Sequence, residues 1–78
     1  DPVGARALVE DTLARHPDAW QGRYNAACFE ALEGDADAAF GHLAAALELA
    51  PREIAEWAAE DPDLASLRDD VRWRELFG

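Results

Sequence analysis

Two histidines and one cysteine are the side chains of this 78-residue sequence best suited to metal binding or nucleophilic catalysis. His16 and His42 have no cysteine or acidic pair at metal-ligand spacing, whereas a zinc site needs four clustered ligands. Cys28 has no histidine at a spacing that predicts a nucleophile with its base, so a small, half-buried apolar role is favoured. The sequence also lacks a glycine-rich phosphate loop. It therefore predicts no catalytic, cofactor-binding or metal-binding residue, and we expect a protein that is not an enzyme.

The chain is strongly acidic, with 17 acidic residues against 7 bases and a net charge of −10. Such a surface repels polyanions, so nucleic acid and anionic membranes are not expected as partners, and a basic or neutral peptide fits better. The acidic run near the C-terminus would suit a basic partner, but such runs are more often the solvated face of a helix. Its members are Glu53, Glu56, Glu60, Asp61 and Asp63.

The single cysteine and the absence of a long apolar stretch bear on the compartment. Cys28 cannot form a disulfide within the chain, which suits a reducing cytoplasm. No apolar run approaches the length of a membrane span. The sequence opens on Asp1-Pro2 without an initiator methionine, and we expect a piece of a longer protein. The predicted location is the cytoplasm.

Composition predicts an all-helical protein, because alanine, leucine, glutamate and arginine dominate while strand formers are scarce. A first helix is expected over residues 1–15, capped by Asp1 and ended by His16-Pro17, because the residue before a proline is disfavoured in a helix. Its apolar stripe recurs at helical spacing and consists of Ala5, Val9, Thr12 and Leu13, with Leu8 beside it.

Residues 24–51 read as two antiparallel helices and form the centre of the predicted fold. Asp18 is the expected cap of the first of them, with Gln21 at capping-box spacing. Gly34 supplies the left-handed residue that ends this helix, and Asp35 starts the next one, which runs over residues 36–49. Small residues are expected to let the two backbones approach, namely Ala26, Ala27, Ala39 and Ala46. Phe29, Phe40 and Leu43 are expected to fill the remaining space.

The C-terminal part is predicted to form short helices that cover the open end of this hairpin. A helix is expected over residues 52–60, followed by a turn at Asp61-Pro62 and a last segment after Asp69-Asp70. Two tryptophans flank the leucines of this region, and a capping core is the favoured interpretation, with a binding hot spot as the alternative. The residues concerned are Trp57, Leu64, Leu67 and Trp73.

Several of these features resemble a tetratricopeptide repeat, a helix-turn-helix unit of about 34 residues that stacks into a solenoid. The resemblance rests on Tyr24-Asn25, Gly34-Asp35, Ala46-Leu47-Glu48-Leu49 and Pro51, with alanines at 27, 39 and 46. Upstream, Ala5, Val9, Leu13 and Pro17 are similar to the second helix of a preceding repeat. The tail is similar to a closing segment of bacterial members of the family, in Trp57-Ala58, Asp61, Asp63, Leu67-Arg68-Asp69-Asp70 and Arg72-Trp73.

The resemblance implies one domain with a right-handed superhelical arrangement. Residues 1–17 would be the second helix of a partial repeat, residues 18–51 a complete repeat and residues 52–78 capping helices. It also implies non-catalytic protein–protein contact, through a concave surface that holds Gln21, Tyr24, Asn25, Cys28 and Leu32. An asparagine at the position of Asn25 can clamp a peptide backbone or a terminal carboxylate through its amide, and the alternative is a surface or helix-packing role. Arg23 is nearly the only base available there, so capture of an acidic peptide terminus is not expected.

The first helix would lack the neighbour on which it normally packs. Leu8, Val9 and Leu13 are therefore expected to form an open apolar edge, used for self-association as a homodimer or for docking on an upstream domain. The alternative function is that of a structural C-terminal appendage or oligomerisation element of a larger bacterial enzyme or sensor, with no ligand of its own. The sequence upstream of Asp1 would distinguish the two.

Overall fold

The computed structural model describes residues 2–78, with side chains from residue 3 onward, and this part of the chain contains helices and no strand. The prediction of an all-helical protein is confirmed. The expected cap Asp1 lies outside the described residues. The helices are α1 (Pro2–Arg15), α2 (Trp20–Glu33), α3 (Ala36–Leu49), α4 (Pro51–Glu60), α5 (Ala65–Arg68) and α6 (Val71–Phe77), with a 3₁₀ turn at Pro62–Leu64 before α5. No helix within residues 2–78 combines the length and hydropathy needed to cross a bilayer.

The turn between α2 and α3 forms as the sequence predicts. Gly34 has a φ of 86°, in the left-handed region that glycine adopts at little cost. Its N–H donates to the Ala31 carbonyl at 3.2 Å, and the Asp35 N–H donates to the Glu30 carbonyl at 2.9 Å. The Asp35 carboxylate then accepts from the Ala38 N–H at 3.1 Å and caps α3. The chain reverses within two residues, so α2 and α3 lie side by side.

Small residues line the contact between α2 and α3. Ala27, Ala39 and Ala46 are fully buried, which brings the two backbones close together, and Phe40 and Leu43 fill the space beside them. This hydrophobic core continues into the C-terminal part of the chain. Its further members are Tyr24, Cys28, Ala31, Ala50, Ile54, Ala58, Leu64 and Leu67.

Helix α1 packs on a different side of α2. Leu13 is 8% exposed and packs beside Gly22, where a Cβ atom would lie 3.4 Å from the Leu13 Cδ2. The Arg6 guanidinium donates two hydrogen bonds to the Glu30 carboxylate, at 2.8 and 3.1 Å. These bonds lower the pKa of Glu30. A leucine and a buried carboxylate paired with arginine therefore attach α1 to α2.

Two predicted details of α2 are wrong. The helix begins at Trp20 with Ala19 as its cap residue, and no side chain caps it, so Asp18 and Gln21 do not form a capping box. Phe29 is half-buried beneath the Arg6 guanidinium, 5.6 Å from its ring centroid, and does not fill the contact between α2 and α3. A rotation of 100° per residue turns Phe29 and the neighbouring Glu30 toward α1.

The C-terminal helices close one end of the hairpin. Leu64 and Leu67 are buried in the core, and Trp73 packs against it. Arg72 joins α6 to α3, because it donates to Asp37 at 2.6 Å, and it also donates to Asp70, the cap residue of α6, at 2.9 Å. Hydrogen bonds from Arg72 lower the pKa of Asp70 to about 2. Leu64 and Leu67 are thus buried as expected, and Trp73 is half-buried against the core.

Trp57 does not belong to this capping core. It is 49% exposed, and its ring contacts Trp20 at 4.9 Å and Tyr24 at 5.5 Å between centroids. Both contacts are edge-on, with interplanar angles of 72° and 83°. The sequence interpretation that grouped Trp57 with Trp73 is corrected on this point.

Candidate functional site

A hydrogen-bonded network joins α2 to the turn after α4. Tyr24 and Cys28 are four residues apart and lie on the same face of α2, while Asp61 is the cap residue between α4 and the 3₁₀ turn. The Tyr24 hydroxyl donates to Asp61 Oδ2 at 2.6 Å, and the Cys28 thiol donates to the same oxygen at 3.7 Å. Asp61 Oδ1 accepts from the Asp63 N–H at 2.9 Å. Asp61 therefore receives three donors.

The protonation states of this network follow from burial and from these hydrogen bonds. Burial, with the hydrogen bond to Asp61, raises the pKa of Tyr24. Burial and the negative charges of Asp61 and Asp63 raise the pKa of Cys28 to about 12. Burial alone would raise the pKa of Asp61, but the hydrogen bonds from Tyr24, Asp63 and Cys28 outweigh it, and the pKa is lowered. At neutral pH a carboxylate thus accepts from a neutral phenol and a neutral thiol.

Cys28, Asp61 and Asp63 place a sulfur and carboxylate oxygens within 4.8 Å of one another. Sequence reasoning missed this grouping, because Cys28 is more than 30 residues from both acids in the chain. The sequence contains one signal for this grouping, because the i, i+4 spacing of Tyr24 and Cys28 places both side chains on one face of α2. Asp61 accepts three hydrogen bonds in this arrangement, and burial raises the pKa of the thiol, so these groups tie α2 to the turn after α4.

Arg68 supports the same turn from the other side. Its Nη2 donates to the Ala58 carbonyl at 2.8 Å and to the Asp61 carbonyl at 2.6 Å. The Ala58 carbonyl lies in the last turn of α4, where Pro62 has no N–H to donate to it, whereas the Asp61 carbonyl also accepts from the Leu64 N–H at 3.2 Å. The guanidinium also lies 5.5 Å from the Trp73 ring centroid, so α5 and α6 are joined to the end of α4.

The five residues of the predicted peptide-binding surface separate into two sets. Gln21, Asn25 and Leu32 are exposed, and their spacing places them on one side of α2. Tyr24 and Cys28 are buried in the core, because their face of α2 meets the turn after α4. The structure therefore leaves three of the five available to a partner.

A shallow apolar groove lies between α1 and α2. It has a volume of about 330 Å³ and is lined by Ala5, Leu8, Val9, Thr12, Gly22 and Asn25. Leu8 is 72% exposed, and Val9 is half-buried. Leu13 is buried against α2 and does not belong to the open apolar edge, which corrects the sequence prediction. The edge therefore consists of Leu8 and Val9, beside the Asn25 side of α2.

The histidines contribute to neither arrangement. His16 is exposed, while His42 on α3 is half-buried near Arg23. Burial, and to a smaller extent the positive charge of Arg23, lowers the pKa of His42.

Comparison of the chain with protein-family models, curated proteins and solved structures found no match. The fold and the site thus define a small all-helical protein with a hydrogen-bonded network between α2 and the turn after α4, and an open groove between α1 and α2.

Proposed function

We propose that this chain is a non-catalytic protein–protein interaction module, and that its helical hairpin is a repeat of a tetratricopeptide-type right-handed superhelix. The observation that carries the proposal is the open groove between α1 and α2, where Leu8 is 72% exposed. The partner is a helix of another protein whose apolar side chains bury Leu8. The groove is suited to a helix because Ala5 is small and allows a second backbone to approach.

Asn25 and Thr12 are the polar residues of this lining, and the Thr12 hydroxyl already donates to the Leu8 carbonyl at 3.0 Å, which leaves the Asn25 amide for a partner. This amide has donors and an acceptor, so it can bind a polar group of a partner that lies in the groove. The apolar contacts around it contribute affinity but do not fix the orientation of a partner, whereas a hydrogen bond to the Asn25 amide does. This combination is typical of binding sites in which a few polar groups orient an apolar contact.

The alternative is a structural appendage or oligomerisation element, in which a second copy or another part of the same protein fills the groove. A second copy is disfavoured by charge, because each chain carries −10 and two such surfaces repel one another. A partner with a neutral or basic surface meets no such repulsion. We therefore place a different protein, and not a second copy, in the groove.

The experiment replaces Leu8 with the photo-cross-linking residue p-benzoylphenylalanine in cells that express the protein. Val71, which is also highly exposed but lies on α6, is the matched control position. A partner cross-linked from position 8 and not from position 71 is then purified, and its Kd is measured calorimetrically with wild type, Leu8→Glu and Val71→Glu. Far-UV circular dichroism and melting curves verify that each variant is folded.

We expect Leu8→Glu to weaken binding about tenfold or more, because burial of a leucine contributes about 1.5–3 kcal/mol and 1.4 kcal/mol is tenfold in Kd. Val71→Glu should bind as wild type does. Equal cross-linking from both positions, or unchanged affinity of Leu8→Glu, would refute the proposed docking surface. A cross-linked adduct that consists of two copies of the chain would favour the oligomerisation alternative.

A further inference from the structure

The outward side of α4 presents a large aromatic ring to solvent. Trp57 is held on one side by edge-on contacts with Trp20 and Tyr24, and about half of its surface stays open. Trp20 is itself only half-buried. A tryptophan fixed in this way costs little conformational entropy when a ligand covers it, which is one reason why tryptophan is frequent in binding hot spots.

Carboxylates flank this ring. Glu53 precedes Trp57 by four residues and Glu60 follows it by three, so both are its neighbours on the surface of α4. Glu56 is exposed on the same helix. Over residues 34–63 the chain has eight acidic residues and one arginine. The exposed part of Trp57 therefore lies within a strongly negative part of the sequence.

These carboxylates have no cationic partner within residues 2–78. The ion pairs of this part of the chain join Arg6 to Glu30, Arg15 to Asp11, and Arg72 to Asp37 and Asp70. Arg68 donates to backbone carbonyls. None of the pairs includes an acid of α4, so the charge around Trp57 is available to a ligand.

We propose that Trp57, Glu53 and Glu60, with Trp20 beside them, form a docking surface for an arginine- or lysine-bearing peptide segment. A guanidinium or ammonium group over the Trp57 ring is attracted by the negative π-face. The flanking carboxylates attract the same cation, and arginine is favoured because its planar group both stacks and binds a carboxylate through two hydrogen bonds. This surface lies on α4 and does not depend on the groove between α1 and α2.

The test uses an alanine-flanked tetra-arginine peptide, with a tetra-citrulline peptide as the uncharged isostere. Kd is measured calorimetrically for wild type, the double variant Glu53→Gln/Glu60→Gln and the matched double variant Glu10→Gln/Glu75→Gln. Both doubles remove two exposed charges, but Glu10 and Glu75 lie on α1 and α6. Trp57→Leu and Trp57→Phe test the ring, and amide NMR spectra locate the bound peptide.

We expect binding of the arginine peptide only, with shifts at the Trp57 indole N–H and at α4 and none at Leu8. The α4 double should weaken binding at least threefold more than the control double. Trp57→Leu should lose about two- to fivefold, and Trp57→Phe less, because exposed cation–π contacts are modest. Equal losses in both doubles would show general attraction to an acidic chain and overturn the proposal. Binding of the citrulline peptide, or unchanged affinity of Trp57→Leu for the arginine peptide, would also overturn the proposal.

Discussion

Replacement of Tyr24 by phenylalanine tests the hydrogen-bonded network that ties α2 to the turn after α4. The substitution keeps the ring that packs against Trp57 and removes the hydroxyl that donates to Asp61 at 2.6 Å. Asp61 then retains the Asp63 N–H at 2.9 Å and the more distant Cys28 thiol at 3.7 Å. The change therefore isolates one charge-assisted hydrogen bond in a region where Tyr24 itself is almost fully buried.

The expected loss of unfolding free energy is about 1.5 kcal/mol. Hydrogen bonds to charged groups contribute about 1.5–3 kcal/mol, and the lower end applies because Asp61 is partly exposed and water can replace some of the lost bond. For a domain of this size the corresponding fall in Tm is roughly 6–12 °C. The variant should still be folded and helical at 25 °C.

Urea unfolding followed by circular dichroism measures this loss at pH 7. Asp61→Asn and the double variant complete a thermodynamic cycle, in which we expect a coupling energy of about 1 kcal/mol between Tyr24 and Asp61. Glu60→Gln is the matched control, since it neutralises an exposed acid next to Asp61 and should change stability by less than about 0.5 kcal/mol.

The loss should also depend on pH in a defined direction. The folded-state pKa of Asp61 is lowered from its ordinary value of 3.8, so the unfolded chain takes up this proton first as the pH falls. The stabilisation is therefore fully present above about pH 4 and disappears as the pH falls through the folded-state pKa. The difference between wild type and Tyr24→Phe should shrink over that range. Unchanged stability of Tyr24→Phe at pH 7, or a coupling energy near zero, would refute the role assigned to the network.

Two further predictions concern the core and its cysteine. Ala39→Leu and Ala46→Leu should each overpack the contact between α2 and α3 and lower the unfolding free energy by roughly 1–3 kcal/mol. Ala59 is exposed, so Ala59→Leu should not lower it. Urea unfolding that finds the same free energy for all three variants would contradict this packing. The Cys28 thiol should react with Ellman's reagent at pH 8 about a hundredfold or more slowly than free cysteine, since its pKa is raised to about 12. The unfolded chain loses the thiol proton from about pH 9, whereas the folded chain retains it. The unfolding free energy of wild type should therefore fall relative to that of Cys28→Ala as the pH rises from 9 to 12. A constant difference in unfolding free energy would show that the thiol has an ordinary pKa.

Local rules allowed the helices to be predicted from sequence. His16-Pro17 ends α1, Gly34 takes a left-handed conformation, and Asp35 caps α3, because each feature depends on the backbone within a few residues. Local rules also led to an error. Asp18 has the residue type and spacing of a cap, but the helix begins two residues later at Trp20, where the ring packs against Trp57.

The sites were less predictable than the helices. Helical spacing identified Tyr24 and Cys28 as members of one face of α2, but it could not tell whether that face meets solvent or another segment. In the structure Asp61, 37 residues from Tyr24, covers it. For the same reason Leu13 was placed on an open edge although it is buried, and Trp57 was placed in a core although it is half-exposed.

The sequence by itself determined the helical class, the hairpin turn, the small residues between α2 and α3 and the acidic charge. These properties follow from composition, from backbone preferences and from the helical period. Only the tertiary structure decided which faces are covered, which acid receives the Tyr24 hydroxyl and where an apolar groove stays open. The physical reason is that burial depends on contacts between segments that are far apart in the chain, and the period of one helix carries no information about its neighbours.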